Sequence, residues 1–274
     1  MPELPEVETI ILSLRPKVAG RRIDRVEIFL EKVVKEPDPE RFKREVAGRV
    51  IAGIKRRGKY LLFQLEGGLV LVVHLRLTGQ LVYALPQAPR DRHTHVLFYL
   101  DNGAELRFQD LRQFGTMHLI PGDRLNRFRP LLSLGPDALD PALTRGLFKR
   151  RMMGRKGQIK KLLLDQTFVA GIGNIYADEI LWQARIHPER AVDTLSSWER
   201  GKLYQVMREV LTRAIEHRGT TLRDYVDGEG QPGGYQALLA VHGRENEPCP
   251  ACRSPIVRVK NGGRSSYFCP NCQK

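Results

Sequence analysis

The sequence predicts an α+β protein with several domains: an N-terminal antiparallel β-sandwich with flanking helices, a helical C-terminal domain and a small cysteine-bound hairpin. Short β-rich segments separated by turn signals recur through about the first 120 residues, which is typical of a sandwich or barrel. Helical periodicity replaces them from about residue 141 onward. The four cysteines all follow residue 248, so they belong to one local module rather than to a disulfide framework.

A helix is predicted over residues 5–14, because Val7, Ile10, Ile11 and Leu14 recur at helical spacing. A second, short helix is predicted over residues 39–46. Glycine-containing turns at 66–68 and 101–103 are typical of hairpin connections. The predicted strands are residues 22–30, 49–54, 60–65, 69–75, 80–84, 95–100, 105–108 and 116–120.

Residues 121–141 are rich in Pro, Gly and Arg, which is typical of a linker. The glycine-rich residues 219–234 show no periodicity and are expected to form a mobile loop, either functional or disordered. Helices are predicted over residues 141–149, 159–164, 174–184 and 196–217. The expected domains are residues 1–130 for the sandwich, 131–140 for a linker, 141–240 for the helical domain and 241–274 for the cysteine module.

The charge balance favours a nucleic-acid partner. The 274 residues include 45 Lys and Arg against 31 Asp and Glu, a net charge of +14, which indicates a folded protein with a basic face. Charge alone leaves open a generally basic protein with no polyanionic partner.

The longest apolar runs are too short to span a bilayer, and the acidic N-terminus lacks the apolar region of a secretory signal. A cytoplasmic location is therefore expected.

Two CxxC pairs form the most specific motif. Cys249 and Cys252 are separated from Cys269 and Cys272 by sixteen residues, a spacing that predicts one tetrahedral Zn²⁺ site. Four sulfur ligands leave no open position, so the metal is expected to be structural. Two disulfides are the alternative, which a cytoplasmic location disfavours. Residues 257–260 and 267–268 would form a hairpin with Gly262 and Gly263 near its tip, followed by Arg264, whose simplest interpretation is a solvated turn arginine.

The N-terminal stretch admits two interpretations. After removal of Met1, Pro2 would carry a free secondary amine, and an α-amino group titrates near ~7.7–8 against ~10.4 for lysine. Such an amine is a nucleophile toward carbonyl-like carbons, and Glu3 beside it is a candidate acid or base. Alternatively, Pro5 and its acidic neighbours simply begin a helix. This stretch alone favours the helix start.

Five motifs together resemble the bacterial formamidopyrimidine-DNA glycosylases (8-oxoguanine DNA glycosylases), over essentially the whole chain. They are Pro2-Glu3-Leu4-Pro5-Glu6-Val7-Glu8-Thr9, Arg56-Arg57-Gly58-Lys59-Tyr60, Asp110-Leu111-Arg112-Gln113-Phe114-Gly115, Gly171-Ile172-Gly173-Asn174-Ile175-Tyr176 and the CxxC pairs. The resemblance implies a β-sandwich, a helix–two-turn–helix domain and a zinc finger, with duplex DNA in the cleft between the domains. It also implies a monomeric, bifunctional glycosylase and AP lyase of base excision repair that excises oxidised purines.

The resemblance assigns chemistry to matched positions. Pro2 would attack C1′ of the damaged nucleotide, and the resulting iminium would permit β,δ-elimination. Glu3 would protonate the opening sugar, and Glu6 would support the helix start or the hydrogen bonds of the site. Lys59, otherwise an ordinary strand lysine, becomes a catalytic phosphate-binding lysine, and Arg264 a phosphate clamp. The implied DNA contacts are His74, His93, Arg112, Arg155, Lys156, Lys160 and Asn174, with Arg155 or Lys156 left open as the contacting cation.

Three matched residues would fill the void left by a flipped base: Leu77, Arg112 and Phe114. Core packing is the alternative for Leu77 and Phe114, and the family usually has methionine where Leu77 stands. Residues 219–234 match the loop that closes over the flipped base. Two other functions compete: an endonuclease VIII-like glycosylase for oxidised pyrimidines, which Leu4-Pro5 disfavours, and a non-catalytic zinc DNA-binding protein. The joint presence of Pro2, Glu3, Lys59 and Arg264 disfavours the latter.

Overall fold

The computed structural model describes residues 1–261 and 263–274, with only the backbone of Asn261; Gly262 of the predicted hairpin tip lies outside the described residues. The chain folds into two compact units. The first comprises Met1–Leu132 and His217–Gln236, and the second Ser133–Glu216 and Ala237–Lys274. The glycine-rich segment thus packs with the β-rich unit, although the sequence places it in the helical domain. The predicted domain ranges stay predictions.

The first unit contains three α-helices and two sheets in its described residues. The helices are α1 (Leu4–Val18), α2 (Pro39–Val46) and α3 (Arg129–Leu132). The strands are β1 (Ile23–Ile28), β2 (Val34–Glu36), β3 (Ile51–Arg57), β4 (Tyr60–Leu65), β5 (Leu69–His74), β6 (Gly79–Ala84), β7 (Thr94–Leu100), β8 (Glu105–Asp110) and β9 (Thr116–Pro121).

One sheet has the strand order β1-β7-β8-β6 and the other β2-β9-β5-β4-β3. The predicted turns at 66–68 and 101–103 do connect antiparallel neighbours, β4 to β5 and β7 to β8. The short strand β2, which the sequence analysis missed, pairs parallel with β9, so the sheets are not purely antiparallel. Its three residues, Val-Lys-Glu, are too few to show an alternating pattern.

Helix α1 is anchored by a fully buried apolar face. Val7, Ile10, Ile11 and Leu14 each have 0% exposure and share one hydrophobic core with residues of both sheets. The helix runs four residues beyond its predicted end, and the buried side chain of Val18 gives this extra turn a core contact. The start of α1, which carries the N-terminal motif, is therefore rigidly placed in the first unit.

The second unit is helical and ends in a hairpin. The elements are α4 (Arg145–Met152), α5 (Ile159–Leu164), α6 (Asn174–Ala184), α7 (Ser197–Glu216), β10 (Val257–Asn261) and β11 (Arg264–Phe268). Helix α4 begins after Thr144, whose hydroxyl accepts the N–H of Leu147 at 3.2 Å, so this N-cap excludes residues 141–143 from the predicted helix. Helix α7 buries the apolar side chains of Leu203, Val206, Met207, Val210, Leu211 and Ala214. Within the described ranges, no helix has the length and hydropathy that a membrane-spanning segment requires.

Candidate active site and nucleic-acid interface

The start of α1 buries two carboxylates beside Pro2. Glu3 is 3% exposed and Glu6 1% exposed, and the backbone N–H of Glu3 donates to Oε2 of Glu6 at 2.8 Å. The other oxygen of Glu6 accepts the N–H of Thr220 at 2.8 Å. The positive end of the helix dipole favours negative charge at this position. Pro2 is buried in the same turn, whereas Met1 is 46% exposed.

Lys59 follows Gly58 in the turn between β3 and β4 and is 7% exposed, so it is not the surface lysine of the simplest interpretation. His74, at the end of β5, lies opposite Tyr60 in the sheet. Burial first, and then the charges of Arg76 and Lys59, lower the pKa of His74 to about 3. The N–H of Arg76 donates to Nδ1 of His74 at 2.9 Å, which leaves the ring proton on Nε2. His74 is therefore a neutral hydrogen-bond donor at physiological pH.

Arg56 joins this turn to α1, a role that sequence reasoning did not assign. Its Nε lies 2.6 Å from Oε2 of Glu8, and its Nη1 donates to the carbonyl of Gly58 at 3.2 Å. The Arg56 side chain is only 10% exposed. Its place in the Lys59 motif was the available signal, but spacing along the chain does not reveal a partner 48 residues away.

The predicted void-filling residues are exposed. Leu77 is 37% exposed and Phe114 is 53% exposed, so neither packs in the core. The Arg112 guanidinium carbon lies 5.4 Å from the centroid of the Phe114 ring. Leu111, which is 55% exposed, adds a further apolar side chain that sequence reasoning missed. Three large apolar side chains in water beside an arginine make up a contact surface rather than a folding core.

The segment His217–Gln236 is held to the start of α1 and to β6. Gly219 adopts φ +76°, and a side chain there would begin 2.8 Å from Oε1 of Glu6, so this position requires glycine. The buried hydroxyl of Tyr225 donates to the carbonyl of Arg218 at 3.1 Å, and burial, with the charge of Glu6, raises the pKa of Tyr225. Gly228 donates its N–H to Oγ of Ser13 at 2.9 Å. The mobility of this loop stays a prediction.

The basic candidates of the second unit differ in exposure. Arg155 and Lys156 are exposed. Lys160 is only 5% exposed, with its Nζ 2.6 Å from Oδ1 of Asp178 and donating to the carbonyl of Ser265 at 2.8 Å. Asn174, at the start of α6, donates to the same carbonyl at 3.0 Å. Lys160 and Asn174 therefore fix the backbone next to Arg264.

Arg264 itself is exposed and lines a cavity of about 340 Å³ together with Lys160, Lys161 and Ser266. In the first unit, His93 is half-buried, and its Nδ1 lies 3.0 Å from Oδ1 of Asp91. The structure thus brings Glu3 together with Glu6, and Lys59 with His74, in the first unit. It brings Arg264 together with Lys160 in the second.

The acidic side chains of α6 hold the segment that precedes the hairpin. The Glu179 carboxylate accepts the N–H groups of Ala240, Val241 and His242 at 2.8, 3.0 and 2.9 Å. Burial raises the pKa of Glu179, although these three hydrogen bonds act in the opposite direction and lower it. Asp178 contacts Nδ1 of His242 at 2.8 Å. Sequence reasoning assigned no role to either acid, because partners more than 60 residues away leave no local pattern.

The four cysteine sulfurs lie within 4.8 Å of one another. Cys252 and Cys269 have their sulfurs 3.4 Å apart, and Cys249 and Cys272 3.9 Å apart. A tetrahedral site with Zn–S bonds of about 2.3 Å requires sulfur separations of about 3.8 Å. The N–H of Cys272 also donates to the sulfur of Cys269. The donor set and its geometry therefore fit one metal ion.

A β-sandwich with a buried acidic helix start, followed by helices and a four-cysteine hairpin, is the architecture of a zinc-finger DNA glycosylase. Family models for the formamidopyrimidine-DNA glycosylase N-terminal domain, its H2TH domain and the zinc finger found in FPG and IleRS match residues 1–117, 134–226 and 246–274. The chain belongs to the formamidopyrimidine-DNA glycosylase family. The resemblance inferred from the five motifs is confirmed, as is the predicted fold class.

Relatives and solved structures cover the whole chain. Formamidopyrimidine-DNA glycosylases of Pelotomaculum thermopropionicum and Desulforamulus reducens are 51% and 50% identical to it, over 100% of this chain and 99% of each relative. A crystal structure of a Lactococcus lactis FPG mutant with Fapy-dG containing DNA matches with a TM-score of 0.94 at 36% identity, covering 100% of both chains. The Lactococcus lactis Fpg complex with DNA containing an abasic site matches with a TM-score of 0.93, also at 36% identity, over 99% of each chain.

Proposed function

We propose that this chain is a bifunctional DNA glycosylase and AP lyase that removes 8-oxoguanine and formamidopyrimidines from duplex DNA in the cytoplasm. The observation that carries the proposal is the buried Pro2-Glu3 pair at the start of α1, held by Glu6. The family and the DNA complexes of Lactococcus lactis Fpg, with a Fapy-dG or an abasic site, support the substrate class.

The chemistry begins with a flipped nucleotide, because its C1′ is out of reach in a stacked duplex. The Pro2 nitrogen bonds to C1′, the bond from C1′ to the base breaks, and the proton lost from the Pro2 nitrogen goes to the departing base. Glu3 donates a proton to the ring oxygen as the sugar opens, which leaves a protein–DNA iminium. The iminium acidifies the C2′ hydrogen, whose removal expels the 3′ phosphate. A second elimination expels the 5′ phosphate and leaves a one-nucleotide gap.

Cationic and neutral donors are proposed to bind the DNA backbone. Lys59 places a buried ammonium in the first unit, and neutral His74 donates from Nε2. Arg264 supplies an exposed guanidinium suited to bidentate phosphate binding. The N-terminus of α6 beside Asn174 adds a favourable dipole for an anion. The remaining proposed contacts are His93, Arg112, Arg155 and Lys156. For Lys160, whose Nζ lies 2.6 Å from Oδ1 of Asp178, we propose that it holds the hairpin rather than a phosphate.

The four cysteines are proposed to hold one structural Zn²⁺. A closed set of four thiolates supplies folding free energy rather than an open coordination position for catalysis. Bound zinc would fix β10 and β11 at one end of the hairpin and so support Arg264 near the other end.

We propose that the protein acts as a monomer on duplex DNA.

Borohydride trapping tests the nucleophile. The mature protein, a form that retains Met1 and a Pro2→Gly variant are each incubated with abasic duplex DNA and borohydride. We expect a covalent adduct from the mature protein, a much weaker one from Pro2→Gly and none from the Met1-retaining form. Equal adduct formation by all three would place the nucleophile elsewhere and overturn the proposal.

Excision assays test the substrate class. Duplexes carrying 8-oxoguanine opposite cytosine, or thymine glycol, are compared under single-turnover conditions. We expect faster excision of 8-oxoguanine. Preference for thymine glycol would assign the chain to oxidised pyrimidines, and no excision of either base would overturn the proposed removal of 8-oxoguanine.

A further inference from the structure

One buried carboxylate joins the two loops that carry the exposed void-filling residues. Asp110, the last residue of β8, is 1% exposed. Its Oδ1 accepts the hydroxyl of Thr78 at 2.5 Å and the N–H of Arg112 at 3.2 Å. Its Oδ2 accepts the N–H of Gly115 at 2.7 Å. Hydrogen bonds to an ionised carboxylate are about twice as strong as neutral ones, so this turn is firmly closed.

Thr78 completes the link from the other loop. Its Oγ1 donates to Asp110 and accepts the N–H of Arg112 at 3.0 Å. Thr78 directly follows Leu77, in a turn closed by the N–H of Gly79 donating to the carbonyl of Leu75 at 3.0 Å. A single hydroxyl therefore connects the Leu77 turn to the Arg112 turn, with Thr78 and Arg112 34 residues apart in the sequence.

The space around the Asp110 carboxylate is tightly packed at Gly115. A side chain at position 115 would begin 2.4 Å from Cζ of Phe108 and 3.1 Å from Oδ2 of Asp110, so only glycine lets this N–H approach the carboxylate. Behind it, Nε2 of His95 contacts the carbonyl of Asp110 at 2.8 Å. Asp110 is thus held through its carboxylate by the two loops and through its backbone carbonyl by His95.

We infer that Thr78 and Asp110 are positioning residues that hold Leu77, Arg112 and Phe114 as one preorganised wedge. The inference rests on the proposed function, in which this wedge fills the void left by a flipped base. Exposed side chains that must be ordered on binding lose conformational entropy, which weakens association. Loops already fixed to one carboxylate avoid much of that loss. The hydroxyl of Thr78 thereby contributes to base extrusion without contacting DNA.

The test separates wedge insertion from imine chemistry. Thr78→Val removes the hydroxyl, and Thr78→Ser restores it. Thr94→Val is the matched control, because the buried Thr94 hydroxyl has no hydrogen-bond partner within the described residues. Each variant is assayed for excision of 8-oxoguanine from duplex DNA, and for borohydride trapping on single-stranded abasic DNA, which has no void to fill. Fluorescence of 2-aminopurine beside the orphaned base reports wedge insertion.

We expect Thr78→Val to slow duplex excision and 2-aminopurine dequenching by about tenfold, since two hydrogen bonds are lost. Thr78→Ser and Thr94→Val should stay within about twofold of the parent protein, and single-stranded trapping should be equal in all four. If Thr78→Val matches Thr94→Val on duplex DNA, or loses trapping on single strands equally, the inference is overturned.

Asp110→Asn provides a second route should Thr78→Val fold poorly. The asparagine amide keeps one acceptor oxygen but replaces the other oxygen by an NH₂ group, which would face an N–H donor. The Asp110→Asn variant should therefore slow duplex excision and leave single-stranded trapping unchanged. Unchanged duplex excision with reduced single-stranded trapping would contradict the inference. A parent protein that forms no adduct on either substrate would instead reject the proposed function.

Discussion

Glu6 and Thr220 lie 214 residues apart in the sequence, and the N–H of Thr220 donates a 2.8 Å hydrogen bond to Oε1 of Glu6. The other oxygen of the same carboxylate accepts the N–H of Glu3. One buried side chain therefore fixes both the residue that follows Pro2 and the base of the glycine-rich segment. A displacement of that segment at Thr220 would disturb the start of α1 directly.

Glu6→Gln should destabilise the first unit. A glutamine side chain offers one acceptor oxygen, so its NH₂ group would face one of the two N–H donors. Leaving a buried donor unsatisfied costs about 1–3 kcal/mol, and we expect that loss in the free energy of unfolding measured by denaturant titration. The rate of 8-oxoguanine excision should fall with it.

The matched control for Glu6 is Glu229→Gln. Glu229 is 41% exposed and lies 3.1 Å from Nζ of Lys17, so its ion pair contributes at most about 1 kcal/mol. Both variants remove one negative charge from the first unit. Equal effects on stability and excision would show that charge, rather than the two-sided hydrogen bonding of Glu6, is what matters.

His74 should make stability pH-dependent. Its pKa lies at about 3 in the folded protein, below its ordinary value of 6.5. Between these values the unfolded chain binds a proton that the folded chain does not, so stability rises with pH across this window. The His74 contribution is therefore complete above pH 6.5 and is lost as the pH falls, by about 1.4 kcal/mol per pH unit.

The measurement is the free energy of unfolding from pH 7.5 to 4.5 for the parent protein and for His74→Gln. Other histidines with lowered pKa values, His118 and His187, are present in both proteins and cancel in the difference. We expect the stability advantage of the parent to shrink steadily below pH 6.5. Parallel pH profiles would show that His74 has the same pKa in the folded and the unfolded protein, which contradicts the prediction.

Local pattern was sufficient to predict much of the fold. The spacing of the cysteines predicted four sulfurs that lie within 4.8 Å of one another, and a short β-rich run followed by a glycine turn predicted β4 with the boundaries it has. Helices α2, α5 and α6 likewise have their predicted bounds. These elements are specified by residues that are neighbours in the chain, and the sequence displays such neighbours.

The contacts that position the site could not be predicted in this way. Glu6 with Thr220, Lys160 with Asp178 and Thr78 with Asp110 are each pairs from different elements, and no periodicity marks either partner. The family resemblance assigned Lys160 to a phosphate contact. Its burial in an ion pair is a property of packing, which only the folded structure reveals.

Lys156 and Lys160 should therefore respond differently to substitution. Lys156→Ala removes an exposed cation, so it should reduce the slope of log affinity against log salt concentration by about 1. Lys160→Met removes the partner of Asp178, whose side chain is 0% exposed, and breaking a buried pair costs about 3–5 kcal/mol of stability. DNA titrations across salt concentrations and denaturant titrations separate the two effects. A salt-slope change for Lys160→Met without loss of stability would restore it as a phosphate contact.

Metal removal should disorder the hairpin and weaken DNA binding while leaving the first unit folded. Cys249 and Cys269 are fully buried and belong to four sulfurs that lie within 4.8 Å of one another, so without a cation no bond joins them, and metal binding is coupled to folding in such modules. We expect Cys249→Ser, or chelation of the parent protein, to abolish zinc binding measured by metal analysis and to lower affinity for duplex DNA. Zinc should restore the chelated parent but not the variant. Ala251→Ser, a change at an exposed position of the same turn that leaves all four sulfurs in place, is the control. If DNA affinity survives complete loss of zinc, then Arg264 either needs no metal to be positioned or does not bind DNA.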